Sequence, residues 1–183
     1  MSFSDFTFRF SFTIMSWIRL DDLDAEYTIF SKDRNNDSNP LIFRASITST
    51  SGFLKLYLAD ADDFSDIGTA TGSDALTSSE WTFVGYSVSL DINAVDSTVR
   101  LWTNDSAGTT STLTGYRMLD SATPYPAFIG IHRTDTSTKA GYFKGFVNNF
   151  FIFNESTSTG DQSKYGNTGC SISCGTWKCT DNS

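Results

Sequence analysis

The stretch from Gly141 to Asn154, GYFKGFVNNFFIFN, most constrains what this chain can fold into. Successive side chains of a strand point to opposite faces, so a strand with one wet face alternates apolar and polar residues. Phe150, Phe151, Ile152 and Phe153 do not alternate. Both faces of this segment must therefore be covered, which predicts a central strand in a packed pair of sheets. A helix would place Asn148 and Asn149 in its interior among aromatics that favour strands.

The remainder of the chain reads the same way. Phe6, Phe8, Phe10, Phe12, Ile14, Ile18 and Leu20 hold even positions, with Thr7, Arg9, Ser11, Thr13 and Arg19 at odd ones. This period of two predicts two strands joined at a bend near Ser11. Further strands are predicted over 27–33, 81–90, 98–105 and 127–133, with a hairpin of 41–48 and 53–60 turning at Ser49–Gly52. The segment 60–80 reads as a long polar connection and 106–126 as irregular chain. Helix formers are scarce: the only glutamates are Glu26, Glu80 and Glu155, against 16 Phe. Together these features predict an all-β, two-sheet antiparallel sandwich with essentially no helix.

At 183 residues the chain suits one domain plus a tail. The sandwich is expected over 1–155, a Ser/Thr/Gly-rich linker over 156–169, and the start of a truncated cysteine-rich module over 170–183. Cys170, Cys174 and Cys179 are the only cysteines, clustered at the end of the chain. An odd cluster of this kind predicts disulfides whose partners lie beyond Ser183. A zinc half-site is disfavoured because His132, the only histidine, is far off in sequence. The net charge of −8 argues against nucleic acid or an anionic membrane surface, both of which attract cationic patches. No run approaches the ~20 apolar residues of a membrane span. The start MSFSDFTFRF lacks a basic n-region and an unbroken apolar stretch. With the extracellular character of the tail, it suggests a fragment of a longer secreted or membrane-anchored chain.

Seven pieces in order resemble a known family: SFTIMSWIRL (11–20), YTIFSKD (27–33), FLKLYLA (53–59), WTFVGYSVS (81–89), VRLWTND (99–105), FIGIH (128–132) and FKGFVNNFFIFN (143–154). They are similar to the laminin G-like, concanavalin A-like jelly-roll domains, and the match runs roughly from Phe10 to Asn154. The chain departs from the family at Asn104-Asp105-Ser106, where Asp-Gly is usual, and at Asn148-Asn149, where an acidic pair is usual. The family's calcium ligands are therefore not carried over. The resemblance implies a jelly-roll sandwich displayed outside the cell, binding glycan or protein through loops at one rim. It also implies that Trp17 and Trp81 are packing residues.

Glycosidases of this superfamily set Glu-x-Asp-x-x-Glu along one strand, which places two carboxylates on one face. No such motif exists here. Polysaccharide lyases of the fold use a Gln-x-His strand and a Tyr-Phe-Lys strand. Here His132 follows Gly130 rather than Gln, Tyr142-Phe143-Lys144 survives, and the Arg- and Glu-bearing strand is missing. The expectation is a protein that is not an enzyme, with a lyase-like activity as the remaining catalytic reading.

Calcium is the one cofactor the sequence suggests. Asp33, Asn35 and Asp37 place oxygen ligands at alternate positions of a loop, as a hard cation requires. It is not an EF-hand, since Ser38 and Arg44 stand where glycine and the bidentate Glu belong. Asp60, Asp62 and Asp63 form a second acidic cluster; solvated loops explain both equally well. Trp102, Tyr116 and Tyr125 lie beside polar loops and are the candidate platforms for a sugar ring. Asn36, Asn104 and Asn154 begin N-x-[ST] sequons at predicted turns. The resulting expectation is a non-catalytic binding or adhesion module, with a structural subunit of an extracellular coat or filament as the alternative. Its partners are a glycan, an extracellular protein or neighbouring copies.

Overall fold

The computed structural model describes residues 2–3, 11–33, 41–60, 66–90, 96–104, 106–116, 126–135, 137–153, 170–173 and 176–179. For 2–3, Leu90 and the last two segments the description is of backbone only. All regular structure among these residues is strand. The first seven are β1 (Ser2–Phe3), β2 (Ser11–Leu20), β3 (Tyr27–Asp33), β4 (Leu41–Ile47), β5 (Phe53–Ala59), β6 (Ile67–Ala75) and β7 (Trp81–Leu90). Then follow β8 (Ser97–Thr103), β9 (Thr109–Leu113), β10 (Ala127–Ile129), β11 (His132–Arg133), β12 (Lys139–Ala140) and β13 (Gly145–Phe153). A hairpin of β14 (Cys170–Ser173) and β15 (Thr176–Cys179) ends the chain. Among the described residues no helix is long and apolar enough to cross a membrane.

Two antiparallel sheets make the sandwich, a six-stranded one ordered β1-β10-β3-β4-β5-β6 and a five-stranded one ordered β13-β2-β7-β8-β9. The alternation read from the sequence decides which side chains fill the space between them. Phe12, Ile14, Ile18 and Leu20 of β2 meet Phe43, Ala45 and Ile47 of β4 and Leu54, Leu56 and Leu58 of β5 in one core. Tyr86 crosses that core from the five-stranded sheet, and its hydroxyl donates to the Ser46 carbonyl at 2.7 Å.

Three expectations are corrected. β13 is an edge strand, not a central one. Its aromatic run is buried on both sides because Phe150 enters the main core while Phe151 joins a second cluster with Met15, Phe83 and Trp102. That second cluster lies on the outer face of the five-stranded sheet. Segments 60–80 and 106–126, read as loop, contribute the edge strands β6 and β9. Both are built largely from Thr, Ser, Gly and Ala, which pair at a half-exposed edge without the apolar density that marks a core strand. The expected bend near Ser11 has only one side described: β2 begins there, and Ser2–Phe3 pairs with β10 in the other sheet.

Candidate functional site

The outer face of the six-stranded sheet is polar, and its pairing register assembles it. One row runs Phe128–Ser31–Arg44–Tyr57–Thr69 across β10, β3, β4, β5 and β6. The next runs Thr28–Ser46–Lys55–Thr71. The β11–β12 hairpin folds over one half of this face. There Ser31 Oγ donates to the Ile131 carbonyl at 3.0 Å, and the Arg133 amide donates to Asp33 Oδ2 at 2.9 Å. The half formed by β4, β5 and β6 stays open, walled by His132 on one side.

Charged groups meet on the open half. Arg44 pairs with Glu26 at 3.3 Å, and Glu26 also accepts from Tyr57 Oη at 2.8 Å and Ser46 Oγ at 3.1 Å. The Arg44 guanidinium lies 4.0 Å from the centre of the Tyr57 ring and Lys55 Nζ lies 4.5 Å from it. Two cations therefore lie close to one aromatic ring, an arrangement in which the ring quadrupole offsets part of their repulsion. Arg44 Nη1 reaches His132 Nε2 at 2.7 Å, and His132 Nδ1 reaches Thr28 Oγ1 at 2.7 Å. Arginine has no acceptor, so Nε2 must accept and the imidazole proton sits on Nδ1, donated to Thr28. Burial and then the Arg44 charge hold the imidazole down at about 4, neutral at physiological pH. Gly141, with φ of +61°, is required beside it, because a Cβ there would meet His132 Nδ1 and Thr28 Oγ1 at 2.5 Å. With Arg44 and Lys55 against Glu26, this patch carries net positive charge in a chain of net −8.

The residues singled out from sequence fall elsewhere. Trp102 is 1% exposed, laid over Gly85 on the far face of the other sheet, and offers no ring to a sugar. Trp17 packs against the cluster containing Trp102, as expected. Trp81, assigned to packing, is 45% exposed beside Arg19, because its strand position points outward past the covered part of that face. Tyr116 packs on the core beside Gly68, and its hydroxyl donates to Asp66 at 2.7 Å. Tyr142 is 61% exposed, and the ring nitrogens of His132 are engaged by Thr28 and Arg44. Asn104 caps the turn after β8, its Oδ1 accepting the Phe83 amide at 3.0 Å. Asn35, Asn36, Asp37, Asp62, Asp63, Tyr125, Asn154 and Cys174 lie outside the described residues. Cys170 and Cys179 occupy facing positions of the β14–β15 hairpin. Glu26, Arg44, Lys55 and Tyr57 were missed because they are scattered in sequence. The signal present was Arg44 and Ser46 in one strand and Lys55 and Tyr57 in the next, at alternate positions of segments read only as a hairpin.

Asp33 differs from a free loop aspartate. It is fully buried, with Oδ2 accepting from Ser31 Oγ at 3.0 Å and from the Arg133 amide, while Oδ1 has no hydrogen-bond partner. Burial pushes its carboxyl up to about 6 against the opposing effect of those hydrogen bonds. Asp60 lies across from Asp66 beyond the β5–β6 ladder, its amide donating to the Asp66 carbonyl at 3.1 Å. Among the described residues no three metal-binding side chains converge.

No family model matches the chain. No curated protein matches it in sequence either. Solved structures do match in fold. The heptameric SAP-like pentraxin of Limulus polyphemus superposes with a TM-score of 0.70 at 16% identity, over 99% of this chain and 85% of the pentraxin. The CBM40 domain of the Ruminococcus gnavus IT-sialidase, solved bound to α2,3-sialyllactose, gives 0.65 at 15%, over 84% of this chain and 80% of that one. The leech intramolecular trans-sialidase gives 0.62 at 17%, over 85% of this chain but only 23% of the enzyme. Together with the two antiparallel sheets, these superpositions give the chain a jelly-roll sandwich fold.

Proposed function

We propose that the protein is a non-catalytic glycan-binding module that takes acidic sugars on the open half of the six-stranded sheet. The observation that carries this reading is the net-positive cluster of Arg44 and Lys55 around Tyr57 on a strongly acidic chain. An aromatic face suits the apolar side of a sugar ring, Thr69 and Thr71 offer hydroxyls, and the two cations suit a carboxylate. The sialyllactose-bound neighbour supports the choice of probe. This differs from the rim loops expected from sequence, because the polar groups converge on a sheet face. An extracellular setting follows from that ligand class, and the sequons at Asn36, Asn104 and Asn154 accord with it.

The test is titration calorimetry of 3′-sialyllactose against lactose. Binding of the sialylated sugar alone is expected. Lys55→Met should weaken it about 10-fold or more, the loss of one charge-assisted contact. Equal affinity for lactose, or an unchanged affinity in Lys55→Met, would remove the acidic-sugar reading. Lys55 is the cleaner substitution, since removing Arg44 would also strip Glu26 of its ion pair.

A calcium ion is proposed at Asp33, Asn35 and Asp37. The orphaned Oδ1 of Asp33 supplies one oxygen and cannot hold a cation alone, so the loop must complete the set. A rise of several degrees in Tm with millimolar calcium, reversed by chelator and absent in Asp33→Asn, is expected; no rise removes the site. The second reading, a packing unit in an extracellular coat or filament, is favoured by the exposed Trp81, Phe146 and Tyr142. Sedimentation that shows a monomer at all concentrations would eliminate it.

A further inference from the structure

The outer face of the five-stranded sheet carries a band of large apolar side chains, and its burial changes along the strands. The row Phe151–Met15–Gly85–Trp102, across β13, β2, β7 and β8, is buried. The row Phe146–Arg19–Trp81 at the other end stands open, with Phe146 52% exposed. A Cβ built on Gly85 would overlap the Trp102 indole, so the ring lies directly on the sheet. A ring in that position turns its other face outward, and its burial requires a roof.

The roof has a source in the chain itself. β13 ends at Phe153, at the buried end of the face, and β14 in the segment that follows lies beside β13. The register of the β14–β15 hairpin opposes Cys170 to Cys179 and Ile172 to Trp177, while Ser171–Lys178 and Ser173–Thr176 fall between them. Cross-strand partners share a face, so the hairpin has one apolar side and one polar side. A two-stranded hairpin is marginal alone in water and needs an apolar surface to cover.

We infer that the C-terminal hairpin caps the buried end of the five-stranded sheet as a third layer of the same domain. The segment is then not the opening of a separate cysteine-rich module. The cap extends from β13 across the row of Phe151, Met15 and Trp102 and stops short of Phe146, Arg19 and Trp81. The facing positions of Cys170 and Cys179 make a link between them a clamp within the cap.

Hydrogen exchange of the full chain under reducing conditions tests this, since no disulfide can then account for protection. Amides of 170–179 should exchange about 100-fold or more slower than an unstructured chain, with protection falling at least about 10-fold in Trp102→Ser and Phe151→Ser. Amides of β3 to β5 should stay protected and report that the sandwich is intact. If Trp102→Ser does not fold, Phe151→Ser at the edge strand and the wild-type protection decide. Hairpin amides exchanging at the unstructured rate, or protection indifferent to a substitution that leaves the sandwich folded, would overturn the cap. Protection that appears only as the sedimenting mass doubles would also overturn it, and would give the face to a second copy.

Discussion

At the scale of single residues, Asp33 and His132 make opposite demands on pH. Asp33 has a carboxyl raised from 3.8 to about 6 in the folded chain, so between those values the fold holds a proton that the unfolded chain has lost. Stability from this group falls as pH rises through that window, by about 3 kcal/mol for a shift of ~2 units. His132 is lowered from 6.5 to about 4, so between those values the unfolded chain holds the proton, and stability rises with pH. Folding at pH 5 thus moves a proton from histidine to aspartate with little net uptake. Thermal melts of the wild type should be nearly flat from pH 4 to 6.5. Asp33→Asn should turn that profile upward with pH, and His132→Gln should turn it downward. A wild-type profile as steep as either variant would show that these groups do not titrate as their burial implies. None of this was legible in the sequence, where Asp33 reads as a loop ligand and His132 as a strand-end residue. Asp33 is buried and His132 half-buried where the β11–β12 hairpin meets β3 and β4, through contacts that join residues about 90–100 positions apart.

At the scale of elements, Tyr86 ties the two sheets and Trp102 covers the outer face of one of them. Tyr86→Phe leaves the ring in the core but deprives the Ser46 carbonyl of its donor, and should cost about 1–2 kcal/mol in denaturant unfolding. An unchanged midpoint would mean that another donor replaces it. Gly85→Ala should cost about 1–3 kcal/mol and shift tryptophan emission to the red, because Trp102 must leave its seat. Strands with a dense period-two pattern were legible: β3 spans the residues expected, and the hairpin of β4 and β5 turns where Ser49–Gly52 placed it. β6 and β9 were not, because an edge strand gains its pairing from backbone and leaves little mark in composition. β13 misled in a specific way. Two covered faces were inferred correctly, but a covered outer face does not require neighbouring strands on both sides.

At the scale of the whole molecule, an acidic chain concentrates positive charge on one sheet face. Binding of an acidic sugar there should weaken as salt rises from about 50 to 500 mM, because partly exposed charges are screened over ~10 Å or less. A salt-independent affinity would point to the hydroxyls and Tyr57 instead. The candidate site draws on residues from Glu26 to His132, which only the sheet register unites, so no local motif announces it. One further feature governs the shape of the whole. Asn148 and Phe151 of β13 face Trp17 and Met15 of β2, so Asn149 and Phe150 together stand opposite Ser16, with Asn149 at a φ of +48°. That extra residue works as a frameshift in a message. Were Asn149 drawn into regular pairing with Ser16, every downstream letter would shift by one and trade sides, sending Phe150 out and Phe151 in. Deletion of Asn149, by contrast, would close the ladder and leave both phenylalanines on their present sides.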